Sequence, residues 1–208
     1  NDLIFTTRGS RFTFETSFAG LGGDTEYMKF ETRNSVFIPT FEWGDQVLQL
    51  IARAGTFWTY GAEDIRITQD GRPVDRSEVP FFERYYLGGP DSLRGFDYRD
   101  VGPADTTRQY WEPVGGKSYA FGSMEYTIKL GESLRLATFY DWGFVNSDDF
   151  DFAPTNYNDN WGLGIRLLVL GNPLRLDYGI PITSSVNDSG TLTNDSGGQF
   201  NFSFGTRF

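Results

Sequence analysis

The chain has 208 residues, no cysteine, no histidine, a formal charge of −10, 17% aromatic residues and 25 glycines. Disulfides, thiolate zinc sites and imidazole-based triads are therefore excluded, and the acidic balance speaks against a nucleic-acid partner, which needs a basic face. No run of eighteen apolar residues offers a membrane helix. Asn1-Asp2-Leu3 does not read as a signal peptide, so an exported chain is expected to be a processed or shortened form.

Alternation with a period of two recurs along the chain and predicts strands. Residues 11–18 set Phe12, Phe14 and Phe18 against Arg11, Thr13, Glu15 and Ser17; a glycine-rich turn leads to a second strand, 27–39, with Met28, Phe30, Val36 and Ile38 on its apolar side. These two form a hairpin. The Gly20–Gly23 run has no Lys-Ser/Thr after it and no helix pattern, so it reads as a turn and not as a phosphate cradle. A third strand covers 46–56, with Arg53 on its polar side.

From about 57 to 117 the alternation is lost apart from a short candidate strand at 81–86. So long an interval points to a functional loop. Alternation returns at 119–130 (Met124, Tyr126, Ile128 against Ser123, Glu125, Thr127), 134–144 (Leu136, Tyr140, Trp142 against Arg135, Phe139, Asp141), 161–169 (Trp161, Leu163, Ile165 against Gly162, Gly164, Arg166), 174–182 and 199–208. Even-numbered residues are expected to face outward in all eight strands.

Two regularities favour a membrane barrel over a soluble sandwich. The apolar face is rich in aromatics near the strand ends, while the polar face mixes Arg and Glu with glycine, as around a polar lumen. Short connections at 131–133 and 171–173 alternate with long ones, the rhythm of periplasmic turns and extracellular loops. Asp148, Asp149, Asp151 and Asp159 fit a solvated loop better than a cation site, because their spacing is not that of a calcium loop. No metal or cofactor is expected. Paired carboxylates alone make a weak case for an enzyme where the usual base is missing.

Within the long interval lies Tyr86-Leu87-Gly88-Gly89-Pro90-Asp91-Ser92-Leu93-Arg94-Gly95-Phe96, a turn followed by one arginine between a leucine and a Gly-aromatic pair. The Leu93-Arg94-Gly95-Phe96 tip resembles the arginine loop of the BamA-type outer-membrane insertases and of the related two-partner secretion transporters. Phe139, Asp141 and Gly143 are similar to that family's F-x-D-x-G strand motif, and Gly122 to Tyr126 to its preceding strand with an inward glutamate. The alternating end, Phe200, Phe202, Phe204 and Phe208, looks like the signal by which outer-membrane barrels are recognised for assembly.

The resemblance implies an all-β, antiparallel transmembrane barrel segment over residues 1–208, equivalent to the last eight of sixteen strands, with an extracellular loop at about 57–117. It implies that Arg94 seats against Glu125 and Asp141 in the lumen. It further implies a Gram-negative outer-membrane location, lipid and lipopolysaccharide contacts, β-barrel clients, and periplasmic domains and a first half-barrel supplied by the parent chain or a second copy. The alternatives are a secretion pore and a small eight-stranded structural or adhesive barrel. Eight strands closed on themselves leave room only for side chains, so a loop inside the lumen is expected to require the wider barrel.

Overall fold

The computed structural model describes residues 5–20, 25–41, 43, 45–60, 65–67, 73–75, 79–105, 112–184 and 197–205. Eight long strands follow the alternating segments: β1 (Gly9–Ala19), β2 (Tyr27–Pro39), β3 (Val47–Thr59), β8 (Ser118–Lys129), β9 (Leu134–Asn146), β10 (Asn158–Val169), β11 (Asn172–Thr183) and β12 (Gln199–Phe204). They form one antiparallel sheet in the order β1-β2-β3-β8-β9-β10-β11-β12. Two small hairpins lie in the long interval: β4 (Ile65–Ile67) with β5 (Pro73–Asp75), and β6 (Ala104–Asp105) with β7 (Glu112–Pro113). The candidate strand at 81–86 is not one. That stretch begins as a turn, and only Tyr85 and Leu87 make isolated bridges, to Gly116 and Val101.

The turns at one end of the sheet are short. Between β10 and β11 only residues 170–171 intervene, Leu170 at φ 52° and Gly171 at φ 81°. Two successive positive φ angles match the right-handed twist of a hairpin. Strand pairing through β8 and β9 sets even against even residues, as at Met124 and Tyr140, but Tyr140 lies opposite Trp161, and Trp161 opposite Ile180. Parity therefore reverses in β10 alone, where Trp161, Leu163 and Ile165 are the exposed set. The expectation of outward even residues holds for the other seven strands and fails here, because the connection after β9 shifts the count by one.

The outward face is a broad apolar surface, with Phe14, Leu50, Met124, Leu136, Leu163, Ile182 and Phe202 all exposed. Such a surface suits lipid and not bulk water. The inner face carries the packed core, where Ile51, Phe57, Tyr119, Phe121 and Val145 of the sheet meet Val79, Tyr85, Leu87, Leu93, Phe96 and Val101 of the loop. Contrary to a uniformly polar interior, the zone beneath the loop is aromatic and dry.

The sheet is curved around this loop. Asp91 accepts from Arg53 of β3 through its carbonyl (3.1 Å) and from Arg175 of β11 through its carboxylate (2.8 Å). Flattened out, those strands would stand four spacings apart, roughly 19 Å at ~4.8 Å each. Among the described residues, β1 and β12 share no ladder, and each has a single neighbour.

Spin labels at Leu136 on β9 and at Leu163 and Ile165 on β10 are expected to collide freely with oxygen dissolved in the acyl chains, and a label at Ala137 or Gly164 is not. Equal collision rates at Leu163 and Gly164 would overturn the reversed parity.

Candidate functional site

The arginine loop is shaped by its own backbone before it touches the wall. Gly88 and Gly89 take φ values of 106° and 95°, a region open to glycine at little cost. They allow Gly89 N–H to reach the carbonyls of Leu93 (3.1 Å) and Phe96 (3.0 Å), while Gly88 N–H donates to Ser92 Oγ (2.8 Å). Leu93 and Phe96 are wholly buried on either side of the tip. Their insertion into the aromatic core fixes the direction in which Arg94 leaves the loop.

Arg94 itself is fully buried. Nε donates to Asp141 Oδ2 (2.8 Å), Nη2 to Asp141 Oδ1 (2.9 Å) and Nη1 to Glu125 Oε2 (2.6 Å). This is a two-pronged grip on one carboxylate with a second carboxylate at the remaining nitrogen, a geometry open to a planar guanidinium and closed to an ammonium. The guanidinium carbon lies 3.4 Å from the ring centre of Phe139, which adds a cation–π contact. Burial works against the charge, but Asp141 and Glu125 more than offset it, so Arg94 holds its proton more firmly than a free arginine.

The structure thus brings together Arg94, Glu125, Asp141 and Phe139. Gly143, two residues beyond Asp141, leaves room for the loop, since a Cβ there would come within 2.7 Å of Leu87 Cδ1 and 2.8 Å of the Ala120 carbonyl. Phe200, Phe202 and Phe204 point the other way, exposed on the outer face. Phe208 lies outside the described residues.

Several participants are not singled out by the sequence. Arg166 of β10 donates to both oxygens of Glu125 (3.1 and 2.8 Å) and to Asp177 Oδ1 of β11 (2.6 Å). Asp177 Oδ2 in turn lies 3.6 Å from Arg94. Ser123 and Asn160 donate to Asp141 at 2.6 and 3.2 Å. Two guanidinium groups and three carboxylates therefore form one buried network across four adjacent strands. Period-two counting places Arg166 and Asp177 on the inner face, but nothing in it assigns their partners.

The loop backbone continues to the last two strands. Asn201 of β12 donates from Nδ2 to the Arg94 carbonyl at 2.6 Å. At Gly179 of β11 an added Cβ would lie 2.6 Å from that same carbonyl, and at Gly95 one would lie 2.6 Å from Asn160 Cβ. The loop is thus seated backbone to backbone, through glycines, with Asn201 closing the contact.

The acidic residues after β9 do not converge. Asp149 accepts from the Thr59 amide (2.7 Å) and hydroxyl (2.6 Å) and pairs with Lys117 (3.1 Å). Asp159, inside β10, accepts from Tyr140 and from the Thr183 amide at 2.6 and 2.8 Å. Among the described residues no group of three side chains is arranged to hold a metal ion.

Breaking a desolvated pair from one side typically costs about 3–5 kcal/mol. Arg94→Ala is expected to lower the unfolding free energy of the barrel in urea by that order, and Arg94→Lys by less, since it keeps the charge but loses the fork. A double-mutant cycle with Asp141→Asn is expected to show strong coupling; independent effects would remove the pairing from the stability argument.

The sequence profile described as the Omp85 superfamily domain matches residues 1–208. The chain is 30% identical over 210 residues to outer membrane protein assembly factor BamA of Nitratidesulfovibrio vulgaris, covering 97% of this chain and 23% of that protein. It is 26% identical to the BamA of Neorickettsia risticii, with 71% and 18% covered, and 25% identical to the human sorting and assembly machinery component 50 homolog, with 90% and 40% covered. The chain accordingly spans less than half the length of these relatives. Among solved structures, BamA from Haemophilus ducreyi lacking POTRA domains 1–3 shares the fold at a TM-score of 0.70, with 22% identity over 97% of this chain and 39% of that one. With the profile matching along its whole length, the chain belongs to the Omp85 superfamily.

Proposed function

We propose that this chain is part of the barrel wall of a factor that folds and inserts β-barrel proteins into the bacterial outer membrane. The loop carrying Leu93, Arg94, Gly95 and Phe96 braces that wall, and the free edge of β12 receives an incoming strand. The carrying observation is that one buried residue ties the middle of the wall to its end: the Arg94 side chain grips β8 and β9, and its carbonyl holds Asn201 of β12. The relatives' names, outer membrane protein assembly factor and sorting and assembly machinery component, favour assembly over a secretion pore.

The physical logic is edge pairing. β12 has one neighbour, β11. Unpaired backbone groups are costly in hydrocarbon, so an edge held in strand conformation attracts a strand that satisfies them. No bond is made or broken; the work is templating. Clients are β-barrel proteins, and lipid and lipopolysaccharide meet the outer apolar face. The long interval between β3 and β8 lies on the extracellular side, and the rest of the barrel comes from the parent chain or a second copy.

Liposomes carrying the full-length protein are expected to speed the folding of an unfolded outer-membrane barrel, followed by its heat-modifiable gel mobility. Arg94→Ala is expected to slow this by about tenfold, equivalent to ~1.4 kcal/mol in the barrier. Folding no faster than in empty liposomes, together with ion conductance, would overturn assembly in favour of a pore.

A further inference from the structure

The inner face holds a second set of cations that the Arg94 network does not use. Between the loop and strands β2, β3 and β8 lies a recess of about 410 Å³, within the size range of small-ligand sites. Lys29, Arg33, Arg53, Arg84 and Arg99 line it, against Glu31 and Asp91, in a chain whose overall charge is −10. The local excess is opposite in sign to that of the whole molecule.

The arrangement is unfavourable without an anion. Arg33 on β2 lies directly opposite Arg53 on β3, and like charges in that relation repel. Glu31 relieves this in part, accepting from Arg33 Nε (2.8 Å) and from the Tyr119 hydroxyl (2.9 Å). From the loop side, Arg99 sits at φ 63°, a conformation uncommon outside glycine. Its guanidinium lies 4.8 Å from the ring centre of Tyr86 and 5.4 Å from that of Tyr98. Among the described residues it has these ring contacts and no hydrogen-bond acceptor.

We propose that this recess binds a multiply charged oxyanion of the phosphate type. Lys29 is engaged with Glu83 (3.4 Å) and Arg84 with the carbonyls of Val79 and Val114, so these two supply field. Arg33 and Arg53 from the wall and Arg99 from the loop supply the N–H groups. Guanidinium forks match phosphate oxygens in pairs, and three of them approaching from two sides suit a tetrahedral group better than a planar carboxylate. The same phosphate chemistry is carried by soluble phosphorylated compounds in the lumen and by phosphorylated lipid headgroups at its mouth.

The test is calorimetric titration of inorganic pyrophosphate into the full-length protein in phosphatidylcholine nanodiscs. Saturable one-to-one binding is expected, weakening as salt rises and falling about tenfold in Arg99→Gln and in Arg33→Gln, as loss of a charge-assisted hydrogen bond implies. Arg11→Gln on β1 is expected to leave it unchanged. Arg99 is on the exposed side of the loop, so its variant remains informative if a wall variant fails to fold. Repeating the titration in nanodiscs containing phosphatidylglycerol separates the sources: a weakened apparent affinity assigns the site to a lipid headgroup, an unchanged one to a soluble phosphate. Absence of saturable binding, or an affinity indifferent to Arg99→Gln, overturns the proposal.

Discussion

A wholly buried guanidinium inside a membrane wall is the constraint around which this fold is arranged. Left alone, such a charge would be expelled or would pull water in with it. Here Asp141 and Glu125 meet it from neighbouring strands, and Arg166 and Asp177 extend the alternation of sign so that each carboxylate is itself neutralised. Removing any member leaves an unmatched charge where water has little access. The network therefore specifies one seating of the loop, since a register slip of one residue on any of the four strands would turn an acid or base toward lipid.

The same constraint explains why the inner face is not simply hydrophilic. Bringing Arg94 to Asp141 requires the loop to descend onto the sheet, and the descent is stabilised by Leu93 and Phe96 entering an aromatic cluster with Phe57, Tyr119 and Phe121. Apolar burial supplies the attraction; the charge network supplies the position. At Gly179, Gly95 and Gly143 the wall or the loop omits a side chain so that backbones can meet. Asp91, held from both β3 and β11, then fixes the curvature that this descent produces.

Most of the strand framework is legible in the sequence because lipid and lumen sort residues with a period of two. The boundaries are less so. β10 begins at Asn158, with three polar residues, Asn158, Asp159 and Asn160, that carry no alternation and are held by hydrogen bonds instead. The parity reversal in β10 is set by the spacing across the preceding connection, which periodicity does not encode. Arg94, Glu125 and Asp141 come together as the family motifs imply, but Asn201 is indistinguishable by pattern from Ser203: both are polar residues between phenylalanines. Only the approach of the loop backbone sets it apart.

The two free edges of the sheet differ in a way that bears on how the edge is used. β1 is exposed on both faces along most of its length. β12 is also paired on one side only, yet Asn201 fastens its inner face to the Arg94 carbonyl. An edge strand without such a tie can fray or twist, and each unpaired backbone group can then turn toward whatever polar partner is near. Held by the loop, β12 keeps its N–H and C=O groups aligned for a partner strand, which lowers the ordering cost of pairing. The loop and the edge thus form one mechanical unit. An arginine buried among carboxylates on β8 and β9 sets, through a single backbone carbonyl, the geometry of a strand three neighbours away from β9.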